Sequence, residues 1–319
     1  MHLQAVMLDR LPLDRGDLDF APIRAAVDQL VCHDATAPGE ITDRLAGFDV
    51  VLVNKVQLDR EALAAADRLK LVLVMATGTN NVDTDACRDL GISVCNCRGY
   101  ATPAVVQHVT ALLTALATRW HDYDAAIRRG DWQRSGTFCL LGYPIAELAG
   151  RRLGIVGHGE LGRGVARVAE ALGMEVLLAD RPYARKIRPG RLSFDAMLAQ
   201  ADALTLHCPL TDATRHLIDA DALARMPDHA LLINTARGGL VDEAALADAL
   251  RAGEIGGAGI DVFSREPPPA DHPLLAENIP NLIITPHSAW GSLEARRRLV
   301  GQLAENLLAF RDGAPIRLV

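Results

Sequence analysis

The apolar residues of this chain fall into two kinds of run, and their alternation predicts its architecture. Short continuous runs, AVMLD, DVVLV, KLVLV and ISVCN, stand at about 5–9, 49–53, 70–74 and 92–96. Mixed polar and apolar stretches such as REALAAADRL separate them. Strands that alternate with helices pair in parallel and build an α/β layer fold. The pattern restarts near 153 with LGIVG, EVLLA, ALTLH, ALLIN, GAGIDV and NLIIT. Runs so continuously apolar suit parallel strands covered on both faces. Between the two sets, Val105, Val109, Leu112, Leu113 and Leu116 repeat at helical spacing, which predicts one linking helix over 101–122. The stretch 123–150 is irregular and reads as an arm or an interface. Over 292–311, Leu299, Leu303, Leu307 and Phe310 share one helical face behind an N-cap at Ser292. No strand follows that helix, so it is expected to fold back on the first domain and make it discontinuous.

Length and charge narrow the classes. A chain of 319 residues is too long for one ordinary core and long enough for two domains. The formal net charge of −7 offers no footprint for a nucleic-acid backbone. Only Lys55, Lys70 and Lys186 of the 33 basic residues are lysines, so an arginine must be singled out by its context. There is no basic flank with a leader-like apolar run, and no apolar run of the roughly 18 residues a membrane span needs. The expectation is a cytoplasmic protein with reduced thiols and no membrane contact. Cys95 and Cys97 alternate on a predicted strand and read as buried small hydrophobes. No further ligands stand at metal-site spacing, so no metal is expected.

The segment LGIVGHGELGRGVA, 153–166, carries the first chemical signal. Gly157, Gly159 and Gly162 follow a predicted strand and open a predicted helix, the context a dinucleotide-binding turn requires. Glycine patterns alone are common. Here the glycines would let the amides of Glu160 and Leu161 face a pyrophosphate at the helix N-terminus. The next strand ends in Asp180, eighteen residues past Gly162. An acidic side chain there accepts hydrogen bonds from a ribose 2′-hydroxyl and repels a 2′-phosphate, which favours NAD over NADP. Arg181 beside it softens that preference, because it could pair with a phosphate or stack on adenine.

Three groups could then do chemistry with a nicotinamide. Arg237 follows the strand in INTARGGLVDE, Glu266 lies just past the strand that ends at Asp261, and His287 follows the next strand in NLIITPHSAW. Open α/β sheets bind ligands outside the carboxyl ends of their strands. A lone histidine after a proline is more often a loop residue, and a lone glutamate before prolines a solvated turn. Three such groups at successive strand ends, downstream of a nucleotide turn, favour a site. Reducing a 2-keto acid moves a hydride to the carbonyl carbon and a proton to its oxygen. Histidine can supply that proton near neutral pH, a carboxylate on its other ring nitrogen stabilises the imidazolium, and arginine can grip the substrate carboxylate.

These segments, with LHCPLTDATRHLI, resemble the D-isomer-specific 2-hydroxyacid dehydrogenase family over about 150–290. MATGTNNVDTDAC extends the likeness more loosely into the first hundred residues. The resemblance implies two Rossmann-like doubly wound parallel-sheet domains with a cleft between them. The substrate domain would be 1–100 plus 291–319, and the NAD domain 101–290. It implies Arg237, Glu266 and His287 as the catalytic set, with His287 as proton donor in reduction. It gives Asp261 the nicotinamide carboxamide, and Cys208, Pro209, Thr214, Thr235 and Ala236 places along the cofactor. It gives Thr77 and Gly78 the substrate carboxylate together with Arg237, and a homodimer joined through the NAD domain. Asn54-Lys55, ATGTNNVD and Trp290 look most like the glycerate dehydrogenase/hydroxypyruvate reductase branch, with Trp290 limiting substrate length. His158 departs from the family pattern and reads as a solvent-facing variant without a catalytic role.

The expectation is therefore an NAD-dependent reductase of hydroxypyruvate and glyoxylate. The alternatives are a dehydrogenase of another small D-2-hydroxy acid such as D-lactate, or a dinucleotide-sensing binding protein like the C-terminal-binding-protein corepressors.

Overall fold

The apolar runs become two separate parallel sheets in the computed structural model, which describes residues 2–182, 184–277 and 279–319. The chain divides into two compact units, Met1–Ala101 with Trp290–Val319, and Thr102–Ala289. Each junction lies one residue inside the span that the sequence assigns to the second domain. Edge-to-face packing of Trp290 on Tyr100, with ring centroids 6.4 Å apart, ties Trp290 to the first unit.

The first unit runs β1 (Gln4–Met7), α1 (Ala21–Arg24), β2 (Gln29–Cys32), α2 (Ile41–Leu45), β3 (Val50–Val53), α3 (Arg60–Ala65), β4 (Leu71–Val74), α4 (Thr84–Asp89) and β5 (Ser93–Cys95). Its sheet has the order β2-β1-β3-β4-β5, parallel throughout. Every residue of β3 and β4 is buried, as a sheet covered on both faces demands. The sequence reading misses β2, an edge strand whose apolar run, Leu30 to Cys32, is three residues long and only partly buried. Cys97 lies past the end of β5, not on it, although both it and Cys95 are buried free thiols.

The second unit opens with α5 (Thr102–Thr118), α6 (Trp120–Arg128) and α7 (Asp131–Ser135). The single helix predicted over 101–122 is broken at Arg119, which adopts φ 55°. The Ala146 amide takes the carbonyl of Ala117 at the end of α5, and the Arg119 carbonyl starts α6 by accepting from Asp122 and Tyr123. There follow β6 (Arg152–Val156), α8 (Glu160–Ala171), β7 (Glu175–Leu178), α9 (Phe194–Leu198), β8 (Ala203–Leu206), α10 (Ala220–Arg225), β9 (Leu231–Asn234), α11 (Glu243–Ala252), β10 (Gly257–Ile260) and β11 (Leu282–Ile284). The parallel order is β11-β10-β9-β8-β6-β7, and an isolated parallel bridge, Ala179 to Leu192, extends it past β7. With that bridge counted, the order is the doubly wound arrangement of dinucleotide-binding sheets.

The chain returns to the first unit in α12 (Leu293–Arg311), where the Ser292 hydroxyl caps the Ala295 amide. Asn306, fully buried on this helix, donates to the Asn96 carbonyl at 3.0 Å, and Gln302 exchanges hydrogen bonds with the Arg98 backbone. Among the described residues no helix is long and apolar enough to cross a membrane.

Candidate active site

The strand order of the second unit reverses between β6 and β8, so the carboxyl ends of these two strands frame the crevice where open sheets take ligands. Gly157 ends β6 with φ +96°, and a Cβ there would come within 2.6 Å of the Cys208 amide nitrogen. A Cβ at Gly162 would strike the Gly157 carbonyl oxygen, so the third glycine lets α8 close on its own strand. At Gly159 a Cβ would meet open space. The protein thus needs Gly157 and Gly162 for its own packing, while no protein atom crowds Gly159. Glu160 and Leu161 form the first turn of α8, where amides have no partner within the helix. Two buried polar atoms along the same edge have no protein partner, His207 Nδ1 and Thr235 Oγ1. A cradle of bare backbone amides with orphaned polar atoms beside it fits a dinucleotide. His158 within the turn is half-buried, and that burial, with Arg191 and Arg163 near, holds its pKa below the usual value.

The loop after β8 lines this crevice. Burial pushes the Cys208 thiol up to about 11. Thr214 shapes the loop, donating to the Pro209 carbonyl at 2.8 Å and accepting from the Thr211 amide at 2.8 Å. On the far side of the crevice Asp180 is engaged within the protein. Its carboxylate accepts from the Arg181 and Arg188 amides and from the Arg188 guanidinium. The Arg188 side chain, then these amides, hold its pKa far below the carboxylate range.

Arg237, Glu266 and His287 come from three successive strand ends. Asn234, buried at the end of β9, accepts from the Ala236 amide and donates to the Arg237 carbonyl, which folds Thr235–Arg237 into a tight corner. The Arg237 guanidinium donates to the Ala236 carbonyl at 2.7 Å. Gly238 follows without a side chain because any Cβ would collide with the backbone of Phe263 and Ser264. That close approach sets the Arg237 corner against the loop that carries Glu266. There the Phe263 amide donates to Glu266 Oε1 at 3.0 Å, and Glu243 holds the Ser264 amide and hydroxyl. Glu266 Oε2 meets His287 Nδ1 at 2.7 Å. His287 is half-buried and adopts φ 52°, a conformation that costs a non-glycine residue energy and persists only when its surroundings impose it.

Asp261 imposes it. Its backbone carbonyl accepts from the His287 amide at 2.7 Å. Its buried carboxylate accepts from Thr285 Oγ1 and from the amides of Ser288 and Ala289. His108, on α5, meets Thr285 Oγ1 at 3.0 Å and extends this network. Sequence reasoning missed Asn234, His108, Thr285 and Glu243 as supports of the site. The available signals were a polar residue closing the apolar strand LLIN and a histidine among the apolar positions of α5.

In the first unit, Thr77 and Gly78 follow β4, and the Thr77 carbonyl accepts from Asn96 Nδ2 at 2.7 Å. Asp9, unnoticed in the sequence, accepts from the amides of Asn54, Lys55 and Val56 and so shapes the loop after β3. Among the described residues no cluster of three or more histidine, cysteine, aspartate or glutamate side chains could hold a metal ion.

Comparison with known proteins agrees with this geometry. Residues 110–289 match the NAD-binding domain of the D-isomer specific 2-hydroxyacid dehydrogenases. The chain is 46% identical to a glycerate dehydrogenase of Methylorubrum extorquens, covering 100% of this chain and 99% of that one. It is 34% identical to a hydroxypyruvate reductase of Blautia hydrogenotrophica, covering 99% of both. Among solved structures, the TT0316 protein of Thermus thermophilus superposes with a TM-score of 0.87 at 34% identity, over 99% of this chain and 100% of that one.

Proposed function

Because the chain belongs to the D-isomer-specific 2-hydroxyacid dehydrogenase family and is an NAD-dependent dehydrogenase, we propose that it reduces hydroxypyruvate and glyoxylate to D-glycerate and glycolate. The observation that carries the catalytic assignment is the 2.7 Å contact of His287 Nδ1 with Glu266 Oε2. That contact fixes the ring and leaves Nε2 for the substrate. A nicotinamide held there would supply the hydride. His287 donates its Nε2 proton to the keto oxygen as that oxygen gains charge, and Glu266 steadies the imidazolium before the transfer. Arg237 pairs with the substrate carboxylate and draws electron density from the carbonyl. In this reading Thr77, Gly78 and Trp290 belong to the substrate, and Asp261 with Thr235 and Ala236 to the nicotinamide end of the cofactor. The choice of hydroxypyruvate and D-glycerate is supported by likeness to the glycerate dehydrogenase and the hydroxypyruvate reductase above.

The test is NADH consumption against hydroxypyruvate, glyoxylate, pyruvate and longer 2-keto acids. Fastest turnover of hydroxypyruvate is expected. A preference for pyruvate would move the chain to D-lactate, and no turnover in protein that binds NADH would remove the catalytic reading.

The chain is also proposed to form a homodimer through the 123–150 arm. Phe138 is 91% exposed there and Leu141 78%, apolar side chains that ask to be covered. Light scattering should give twice the chain mass, and a monomer would reject the pairing.

A further inference from the structure

The dinucleotide-binding reading gives Asp180 the task of receiving the ribose 2′-hydroxyl, yet its side chain is 3% exposed and already saturated. Five hydrogen bonds reach its two oxygens, three from the Arg188 guanidinium and two from the amides of Arg181 and Arg188. A carboxylate paired in this forked manner is close to electrically neutral from outside, so it neither binds a hydroxyl nor repels a phosphate.

The segment it anchors has unusual charge for this chain. Residues 181–191, RPYARKIRPGR, hold Arg181, Arg185, Lys186, Arg188 and Arg191 and no acid, in a protein whose net charge is −7. Arg181, Arg185, Lys186 and Arg188 are exposed. The segment is tied down at both ends. The Asp180 amide donates to the Leu192 carbonyl and the Leu192 amide to that of Leu178, while the Arg191 guanidinium caps the Ala179 carbonyl at 2.8 Å. Its cations are therefore held at the carboxyl end of β7, where a dinucleotide's adenosine ribose lies once its pyrophosphate sits on the glycine turn.

We propose that Asp180 is clamped by Arg188 and that the 181–191 segment, with Arg181 foremost, binds a 2′-phosphate, so that the protein takes NADPH at least as tightly as NADH. This rests on the nucleotide reading of the glycine turn and assigns Asp180 a positioning role in place of ribose recognition. A phosphate ester offers acceptors for the guanidinium groups, and the ribose hydroxyl it replaces finds no available carboxylate.

Binding separates this from catalysis. Calorimetric titration of the whole protein with NADH, NADPH, 5′-AMP and adenosine 2′,5′-bisphosphate reads the 2′-phosphate directly. The bisphosphate should bind about tenfold or more tighter than 5′-AMP, with an advantage that shrinks as salt rises. NADPH should match or exceed NADH. Arg188→Ala uncovers the Asp180 carboxylate and should swing the NADPH/NADH affinity ratio toward NADH by about tenfold or more. Arg181→Ser should weaken NADPH by a larger factor than NADH. Overturning results are NADH bound about tenfold tighter than NADPH by the unaltered protein, or an Arg188→Ala protein that loses both dinucleotides equally. If neither NADH nor 5′-AMP binds, the glycine-turn reading fails and this inference falls with it.

Discussion

The amino and carboxyl edges of the two sheets treat their aspartates differently. At the amino edges the two units repeat one device. Asp49 precedes β3 and Asp202 precedes β8, and each accepts the amide that starts the neighbouring strand, at Gln4 and at Arg152. Each also meets basic side chains, Lys70 and Arg68 around Asp49, His229 and Arg151 around Asp202. Burial pushes both carboxyls up, but these partners outweigh it and both pKa values end below the usual range. At the carboxyl edge of the first sheet, Asp9 meets chiefly the amides of Asn54, Lys55 and Val56. There burial wins and its pKa is raised. Asp261, at the carboxyl edge of the second sheet, likewise takes amides and a hydroxyl. Amino-edge carboxylates are committed to ion pairs that fasten strands. Carboxyl-edge carboxylates shape loops, and the loop that Asp261 shapes carries His287. Asp180 is the exception, a carboxyl-edge aspartate paired like an amino-edge one.

The sharpest way to break that division is at the carboxyl edge. His287→Ala should lower turnover by about 10²–10⁴-fold while NADH affinity and melting temperature stay near those of the parent. Retained turnover, or a matching loss of stability, would mean that the edge is not divided as described. Next is the glycine turn, which tests packing against ligand approach within three residues. Gly157→Ala should cost about 3 kcal/mol or more in denaturant unfolding, because a Cβ meets backbone at positive φ. Gly159→Ala should fold normally, since a Cβ there meets no protein atom, and should weaken NADH binding about tenfold or more. Equal stabilities for the two variants would erase the distinction.

The smallest effect lies at the amino edge. Asp202→Asn should cost about 1–3 kcal/mol of stability at neutral pH and leave kcat unchanged. The folded carboxyl titrates below its unfolded value of 3.8, so its contribution is present above that pH and is lost as acid protonates it. The penalty of the variant should therefore vanish on acidification. Asp9→Asn should show the reverse trend. A raised folded pKa makes the Asp9 contribution largest below its unfolded value and smaller as pH rises through the folded one. The variant's deficit should then shrink toward neutral pH. Parallel pH profiles for the two variants would refute the contrast between ion-paired and amide-held carboxylates.

Several elements could be placed from the chain alone because their signals are local. The continuous runs VVLV and LVLV, the glycine turn after β6, and the Ser292 cap of α12 each depend on residues within a few positions of one another. Arg237, Glu266 and His287 could be named because each stands just past an apolar strand. Their arrangement could not be read so. The 2.7 Å pairing of His287 with Glu266 joins residues 21 apart, and the Asp261 caps join residues 24 to 28 apart. Beside the break at Arg119 the Ala117 carbonyl is taken by the distant Ala146 amide, and β2 offers only the short run Leu30 to Cys32 between polar neighbours.

Sequence by itself determined that two parallel α/β layers would form, that a nucleotide turn opens the second set of strands, and that a basic, an acidic and an imidazole group emerge at successive strand ends. Periodicity and glycine placement are enough for that, because they act through the backbone next to them. Only the tertiary structure decided which carboxylates are available. Asp180 reads in the chain as a ribose acceptor, but in the fold both its oxygens belong to Arg188 and two amides. A carboxylate's chemistry is set by what closes around it, and that closure is made by chain segments that meet only when the sheet has formed.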